Sequence, residues 1–202
     1  HLDQFWIRDF AICLEGIIDL GFESNAKSCL TWALNKYQSY GSITTTIFLN
    51  RYPVNIFHYS SDSLPFLIYS LIRLNMKDEI SQYNQLLSTE INKYRNTILD
   101  GSGQIKTDQM FSATKGTRQF FGTTYTHKML AWLQKLCQDC NQLEDFEPKR
   151  DLATELKSKL WRGTHFVNDL VSDPAIISSD ANFWPYWCGL FDDKDMLRHS
   201  VE

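Results

Sequence analysis

The chain has 202 residues, of which 43% are hydrophobic and 14% aromatic, enough to bury one sizeable core in a single domain over residues 1–202 or in part of a larger one. Its formal net charge of −4 at pH 7 and its isoelectric point near 5.7 give no basic surface for nucleic acid or an anionic membrane. No apolar run approaches the roughly 20 residues that a membrane-spanning helix needs.

The first half of the chain contains two predicted helix pairs. Residues 8–20 carry apolar side chains at helical spacing, and a cap at Ser24 or Asn25 is predicted to start the second helix. The second pair is predicted over residues 63–74 and 80–98. Residues 41–61, between the pairs, show no sustained hydrophobic period and are predicted to form a long connection.

A third pair and the start of a fourth are predicted in the second half. These helices cover residues 124–136, 148–160 and 180–190. The connections before them, residues 100–123 and 161–179, are again long. Because helix, short link, helix and long connection recur about every 55 to 60 residues, the sequence predicts an all-α fold, a helical-hairpin array.

In such an array the long connections lie on one side, so the starts of the first, third, fifth and seventh helices share a rim. Loops longer than about 12 to 15 residues are uncommon in compact domains unless they serve a site. The polar and aromatic residues predicted at this rim are Trp6, Arg8, Asp9, Asp62, Thr124, Tyr125, Asp180 and Asn182.

Trp6, Arg8 and Asp9 together suit a polyhydroxylated ring. Arginine offers a planar fork of donors, aspartate accepts from hydroxyls, and tryptophan supplies a flat apolar face. The alternative is an Arg8–Asp9 pair that caps a helix beside a core tryptophan. Asp62 has the same two interpretations, a sugar ligand or only the N-cap of the third helix.

The same residues carry a family resemblance. Residues 3–10 resemble the W-x-R-D opening of the glucoamylase-type and related debranching-type glycoside hydrolases. Asp62 and Ser63 resemble the start of their second inner helix, residues 125–132 the Y-[ST]-K-x-M-x-W helix of bacterial members, and residues 180–192 the D-A-N start of a fourth inner helix.

The resemblance implies part of an (α/α)6 toroid of six helical hairpins. It also implies that Trp6, Arg8 and Asp9 line the subsite for a non-reducing-end glucose, with Arg8 and Asp9 hydrogen-bonded to its hydroxyls. The implied partner is an α-glucan or a small glucoside. No cofactor is implied.

The chain departs from the family at its catalytic groups. Inverting members place a general-acid glutamate before the third inner helix, whereas residues 113–119 contain no carboxylate. The general base comes from a later inner helix, and we expect 202 residues to supply little more than half of a toroid of roughly 350 residues. Asp9, Asp62 and Asp180 are the rim carboxylates, but neither an acid nor a base is assigned, so enzymatic activity stays open.

Other residue patterns predict ordinary structural roles. The five cysteines are predicted to be reduced, buried thiols of a cytoplasmic protein, with the single CxxC at Cys137 and Cys140 used for packing. The histidines lack ligand spacing, so no metal site is predicted. Trp184 and Trp187 have two interpretations, stacking on sugar faces or packing in the core, and their helical spacing favours the core. Glu90 is expected on a solvated polar helix face.

The leading hypothesis is therefore a carbohydrate-active protein with a sugar subsite. A helical-repeat protein-interaction module is the alternative from another class. A toroidal sugar epimerase would require paired histidines at the rim, where only His127 is near. A half toroid would expose inner-helix faces, so we expect a homo-oligomer or a partner that completes the toroid.

Overall fold

A computed structural model describes residues 3–56, 59–107, 109, 111, 124–144, 146, 149–170, 175 and 177–201. Most of these residues are helical, which confirms the helical class. The helices are α1 (Ile7–Asp19), α2 (Glu23–Tyr40), α3 (Ser63–Arg73), α4 (Lys77–Gln82), α5 (Asn84–Ile98), α6 (Thr124–Asp139), α7 (Leu152–Leu160), α8 (Ser179–Asn182), α9 (Trp184–Trp187) and α10 (Lys194–Val201). The predicted approach to the fifth helix, residues 112–123, lies outside the described residues.

The first predicted helix pair is present as α1 and α2, with small shifts at the ends. The predicted cap at Ser24 or Asn25 is wrong, because α2 begins at Glu23 and Phe22 occupies the N-cap position. Gly41 ends α2 in the left-handed conformation, with a φ of 82°, which a glycine adopts without steric cost.

The connection predicted over residues 41–61 contains two of three short strands that the sequence analysis missed. β1 (Gln4–Trp6), β2 (Thr46–Phe48) and β3 (Tyr52–Val54) form an antiparallel sheet in the order β1-β2-β3. Leu49 and Asn50, with φ of 49° and 54°, lie in the turn between β2 and β3, and both are in the left-handed region that residues other than glycine rarely adopt. Strands of three residues are too short to show an alternating pattern.

The predicted helix over residues 80–98 is divided. The Tyr83 backbone separates α4 from α5, and its side chain is buried with its hydroxyl donating to Asn35 Oδ1 at 2.8 Å. The predicted seventh helix is likewise divided at Phe183, where Pro185 lies in the first turn of α9. The sequence analysis did not predict α10.

Each of the helices α1, α3 and α6 packs against the next one in this series. α1 contacts α2 and α3, α3 contacts α6, and α6 contacts α7 and α8. An aromatic cluster lies where α3, α6 and α9 meet, and its members are Phe66, Tyr69, Trp132, Trp184 and Trp187. Trp184 and Trp187 are half-buried and pack against the main buried cluster, so they border the core and do not lie inside it.

Two predictions about exposure are wrong. Glu90 is only 2% exposed, because it lies three residues after Leu87 and four before Tyr94 on the buried face of α5. Cys13 was expected to be buried but is exposed on α1. All five cysteines are free thiols.

Within the described part of the chain, no helix has both the length and the apolar character to cross a membrane.

Candidate functional site

Three side chains from distant parts of the sequence meet at the helix starts. Arg8 lies in the first turn of α1, Asp62 directly precedes α3, and Tyr125 lies in the first turn of α6. Arg8 Nη1 donates to Asp62 Oδ2 at 3.1 Å, and the Tyr125 hydroxyl donates to the same oxygen at 2.7 Å. We call these three residues the Asp62 network. Their meeting brings together three of the residues predicted at the rim.

Asp62 is the centre of this network and is 2% exposed. It occupies the N-cap position of α3, but its side chain makes no capping hydrogen bond. Its Oδ1 instead accepts a short hydrogen bond from the Ser60 hydroxyl. The carboxylate therefore ties three segments together rather than satisfying the start of its own helix.

Asp9 and Trp6 are the other two predicted site residues near the start of α1. Asp9 Oδ1 lies 3.7 Å from Arg8 Nε, and the Asp9 side chain is 63% exposed while that of Arg8 is 31% exposed. Trp6 is half-buried, and its indole Nε1 donates to Gln4 Oε1 at 2.9 Å. Trp6 holds the N-cap position of α1 without a side-chain capping bond. Arg8 thus has one buried carboxylate and one solvent-facing carboxylate beside it.

The surroundings of Arg8 and Tyr125 raise the pKa values of both side chains. Burial opposes the charge on Arg8, but the attraction of Asp62, followed by that of Tyr125, outweighs it, so the pKa of Arg8 lies above its ordinary value. Burial, followed by the negative charge of Asp62, raises the pKa of Tyr125 well above its ordinary value. Tyr125 therefore remains a donor, and Arg8 remains a cation, throughout the physiological range.

Lys128 is a buried lysine beside Tyr125 that the sequence analysis did not single out. Its Nζ donates to the Asp180 backbone carbonyl at 2.8 Å and lies 4.0 Å from the centroid of the Tyr125 ring and 5.0 Å from that of Trp184. Burial lowers the pKa of Lys128 well below its ordinary value, against the attraction of Cys188 and Asp180. Lys128 lies three residues after Tyr125, so helical spacing was the signal that placed it here.

Three further residues predicted at the rim, Thr124, Asp180 and Asn182, take part in hydrogen bonds that involve backbone groups. Asn182 is buried, and its amide accepts from Phe166 N at 2.7 Å and donates to Phe166 O at 3.0 Å. Thr124 is buried as well and bonds to residues 167 and 168. Asp180 is joined to the site through its carbonyl and Lys128. Asn182 and Thr124 therefore hold the connection before α8 against the start of α6.

The described residues contain no group of three or more histidine, cysteine or acidic side chains that could hold a metal ion. Residues 113–119, which carry no carboxylate where the family resemblance implies a general acid, lie outside the described residues. The site as described has the chemistry of a polar binding site: a fixed cation, an exposed carboxylate and a half-buried indole.

Comparison with protein-family models gave no match, and comparison with curated proteins gave no significant match.

Proposed function

We propose that this chain binds the non-reducing-end glucose of an α-glucan or small glucoside at Trp6, Arg8 and Asp9. The observation that carries the proposal is the Asp62 network. A guanidinium has five N–H donors in a rigid plane, and Asp62 fixes the orientation of that plane from the buried side. Sugar hydroxyls can accept from its other donors and donate to the exposed Asp9 carboxylate.

The packing order of the helices supports the finer architecture that the sequence resemblance implies. α1 contacts α3, α3 contacts α6, and α6 contacts α8, which is the order expected for successive inner helices. α2 packs against α1, and α7 packs against α6. We propose that the chain is a helical-hairpin array and forms part of an (α/α)6 toroid.

Exposed apolar side chains support the association that a partial toroid would require. Ile12 on α1 is 42% exposed, and Leu20 and Phe22 in the turn that follows are 74% and 53% exposed. Such groups are commonly covered by another chain when they form a contiguous patch. We expect association with a second copy or a partner, and sedimentation of a monomer of 23.6 kDa would contradict it.

Binding is proposed without a catalytic assignment. No pair of carboxyl groups is assigned as acid and base, which an inverting glycosidase needs about 6.5 to 9.5 Å apart. Because residues 113–119 carry no carboxylate, we expect this chain alone to hydrolyse a maltose-like substrate very weakly or not at all.

Isothermal titration calorimetry with glucose and maltose tests the proposal. Arg8 and Asp9 lose hydration when a sugar enters, and a dehydrated polar group without its partner costs roughly 1 to 3 kcal/mol. Arg8→Ala and Asp9→Asn should therefore each weaken binding by about tenfold or more. Lys27→Ala and Glu23→Gln are matched controls, because these residues form an exposed ion pair of 2.7 Å on α2. Both controls should bind as the wild type does.

Equal affinity in all five proteins would make Arg8 and Asp9 a structural pair. Absence of any sugar binding by correctly folded wild type would also reject the proposal. That result would favour the helical-repeat interaction module instead.

A further inference from the structure

The two cysteines of the CxxC sequence lie at the end of α6. Cys137 is in the last turn of that helix, and Cys140 directly follows its last residue, Asp139. Both are free thiols, 2% and 8% exposed. Residues three apart on an α-helix have Cα atoms about 5 Å apart, which lies within the range of about 4.4 to 6.8 Å that disulfides span.

A bridge between the two thiols requires only a small movement of Cys140. The Cβ atoms of residues three apart on a helix are about 5 to 6 Å apart, whereas those of a disulfide are about 3.5 to 4.5 Å apart. Cys140 lies beyond the end of α6, so a shift of about 1 to 2 Å toward Cys137 does not have to occur inside the helix.

Cys140 also lines a cavity of about 260 Å³ between the end of α6 and the link from α3 to α4, and Cys137 does not line it. The buried lining residues include Leu71, Met76, Ile80 and Cys140, and the exposed ones include Asn75, Lys77, Asp139 and Asn141. The Cys140 thiol therefore lies in the apolar inner part of a cavity that opens among polar side chains.

Hydrogen bonds fix the segment that follows Cys140. Gln142 Nε2 donates to the Lys77 carbonyl at 3.1 Å and to Ser81 Oγ at 2.7 Å. Asn84 Nδ2 donates to the Gln142 carbonyl at 2.7 Å. These bonds hold the segment against α4 and α5, so the cavity gives a small reagent a defined path to one of the two thiols.

We propose that Cys137 and Cys140 are a redox-active pair that reacts with a low-molecular-weight disulfide of the glutathione type. The Cys140 thiolate attacks one sulfur of the reagent, the S–S bond of the reagent breaks, and one glutathione leaves. The Cys137 thiolate then attacks the Cys140 sulfur, the mixed disulfide breaks, and the second glutathione leaves. The two cysteines are oxidised, the reagent is reduced to two thiols, and these thiols take up the two protons that the cysteines lose.

This pair is separate from the Asp62 network. Tyr125 lies in the first turn of α6 and Cys137 in the last, roughly 18 Å further along the helix axis. The inference therefore does not rest on the proposed function, and its failure would leave the Arg8 site unchanged.

Mass spectrometry of the native protein after incubation with glutathione disulfide tests the inference. A Cys13→Ser, Cys29→Ser background removes the two thiols that are not buried. In this background the protein should lose two hydrogen atoms, carry no glutathione, and show a bridge between Cys137 and Cys140. Cys188, which is 5% exposed, is the internal control and should stay reduced.

Two further substitutions in this background separate the roles of the thiols. Cys137→Ser should stop the reaction at a mixed disulfide between Cys140 and glutathione. Cys140→Ser should lower the modification of Cys137 by about tenfold or more, because Cys137 does not line the cavity. Circular dichroism checks the folding of each variant.

Three results would overturn the inference. A mixed disulfide on Cys140 that persists while Cys137 is present would show that the two thiols do not form a pair. Equal rates for Cys140 and Cys188 would remove the role of the cavity. The wild type needs no substitution for the third test, in which no bridge between Cys137 and Cys140 forms until urea unfolds the protein.

Discussion

Asp62 and Glu90 are both 2% exposed, but the partners of their carboxylates lie at very different distances along the sequence. Asp62 accepts hydrogen bonds from Arg8 and Tyr125, which lie 54 and 63 residues away in the sequence. Glu90 pairs at 3.2 Å with Lys93, only three residues further along α5. The two buried carboxylates are therefore distinguished by their partners: those of Asp62 come from two other helices, and that of Glu90 comes from its own helix.

The surroundings of the two carboxylates differ as well. Beside Asp62, the half-buried Arg8 leads to the exposed Asp9. Beside Glu90, Lys93 Nζ also donates to Ser42 Oγ at 2.6 Å, and burial followed by the charge of Glu90 raises the pKa of Tyr59. Glu90 is thus linked through Lys93 to Ser42, in the connection after α2.

The largest effect is expected from Asp62→Ala. Removal of one partner from a buried ion pair costs about 3 to 5 kcal/mol, and the partial exposure of Arg8 places this case near about 3 kcal/mol. Chemical denaturation measures the loss in the free energy of unfolding. Asp9→Ala, which removes an exposed carboxylate beside the same arginine, should cost less than about 0.5 kcal/mol. A loss below about 1 kcal/mol for Asp62→Ala would contradict the central role of this carboxylate.

A pH-dependent effect is expected from Lys128→Met. The pKa of Lys128 lies well below 10.5 in the folded protein, so between that lower pKa and 10.5 the unfolded chain binds a proton that the folded protein does not. Wild-type stability should therefore rise with pH in this window by up to about 1.4 kcal/mol per pH unit, and the variant should lack this rise. Urea titrations at pH 7.5, 8.5 and 9.5 measure it.

Lys27→Met is the control for this experiment, because Lys27 is an exposed lysine on α2. It should keep the wild-type pH dependence. Parallel stability curves for wild type and Lys128→Met would mean that Lys128 is charged in the folded protein. That result would contradict the prediction that burial keeps the Lys128 amine uncharged in the folded protein.

The smallest effect is expected from Lys93→Ala. Lys93→Ala leaves the buried Glu90 carboxylate without this partner, a loss of roughly 1 to 3 kcal/mol, and because the Lys93 side chain is 43% exposed, water can enter beside Glu90 and keep the cost near about 1 kcal/mol. Thermal denaturation of the variant and the wild type measures it. A loss as large as that of Asp62→Ala would remove the contrast between the two carboxylates.

Much of the site could be predicted because it lies at helix starts. Arg8, Asp62 and Tyr125 were identified from hydrophobic periodicity and end signals that locate α1, α3 and α6. The bonds among them could not be predicted, because they join residues more than 50 positions apart. Lys128 was missed although it lies three residues after Tyr125 on α6, a spacing that places both side chains on the same helix face.

The fold was predictable in its helices and not in its sheet. Helices of 13 to 18 residues, such as α1 and α2, repeat their apolar pattern several times. Each strand has three residues, and β1 pairs with a strand about 40 positions away, so local sequence carries little signal for it. Glu90 was misplaced because its polarity was given more weight than its spacing from Leu87 and Tyr94.

The exposed thiol of Cys13 is a site for chemical labelling beside the proposed sugar site. Cys13 lies four residues after Asp9 on α1, so the two side chains are neighbours on the helix surface, about 6 Å apart. Cys137, Cys140 and Cys188 are buried, and burial raises the pKa of the half-buried Cys29, which lowers its thiolate fraction. A maleimide fluorophore should therefore label Cys13 first in the native protein, and its emission would report ligand entry without any engineered cysteine.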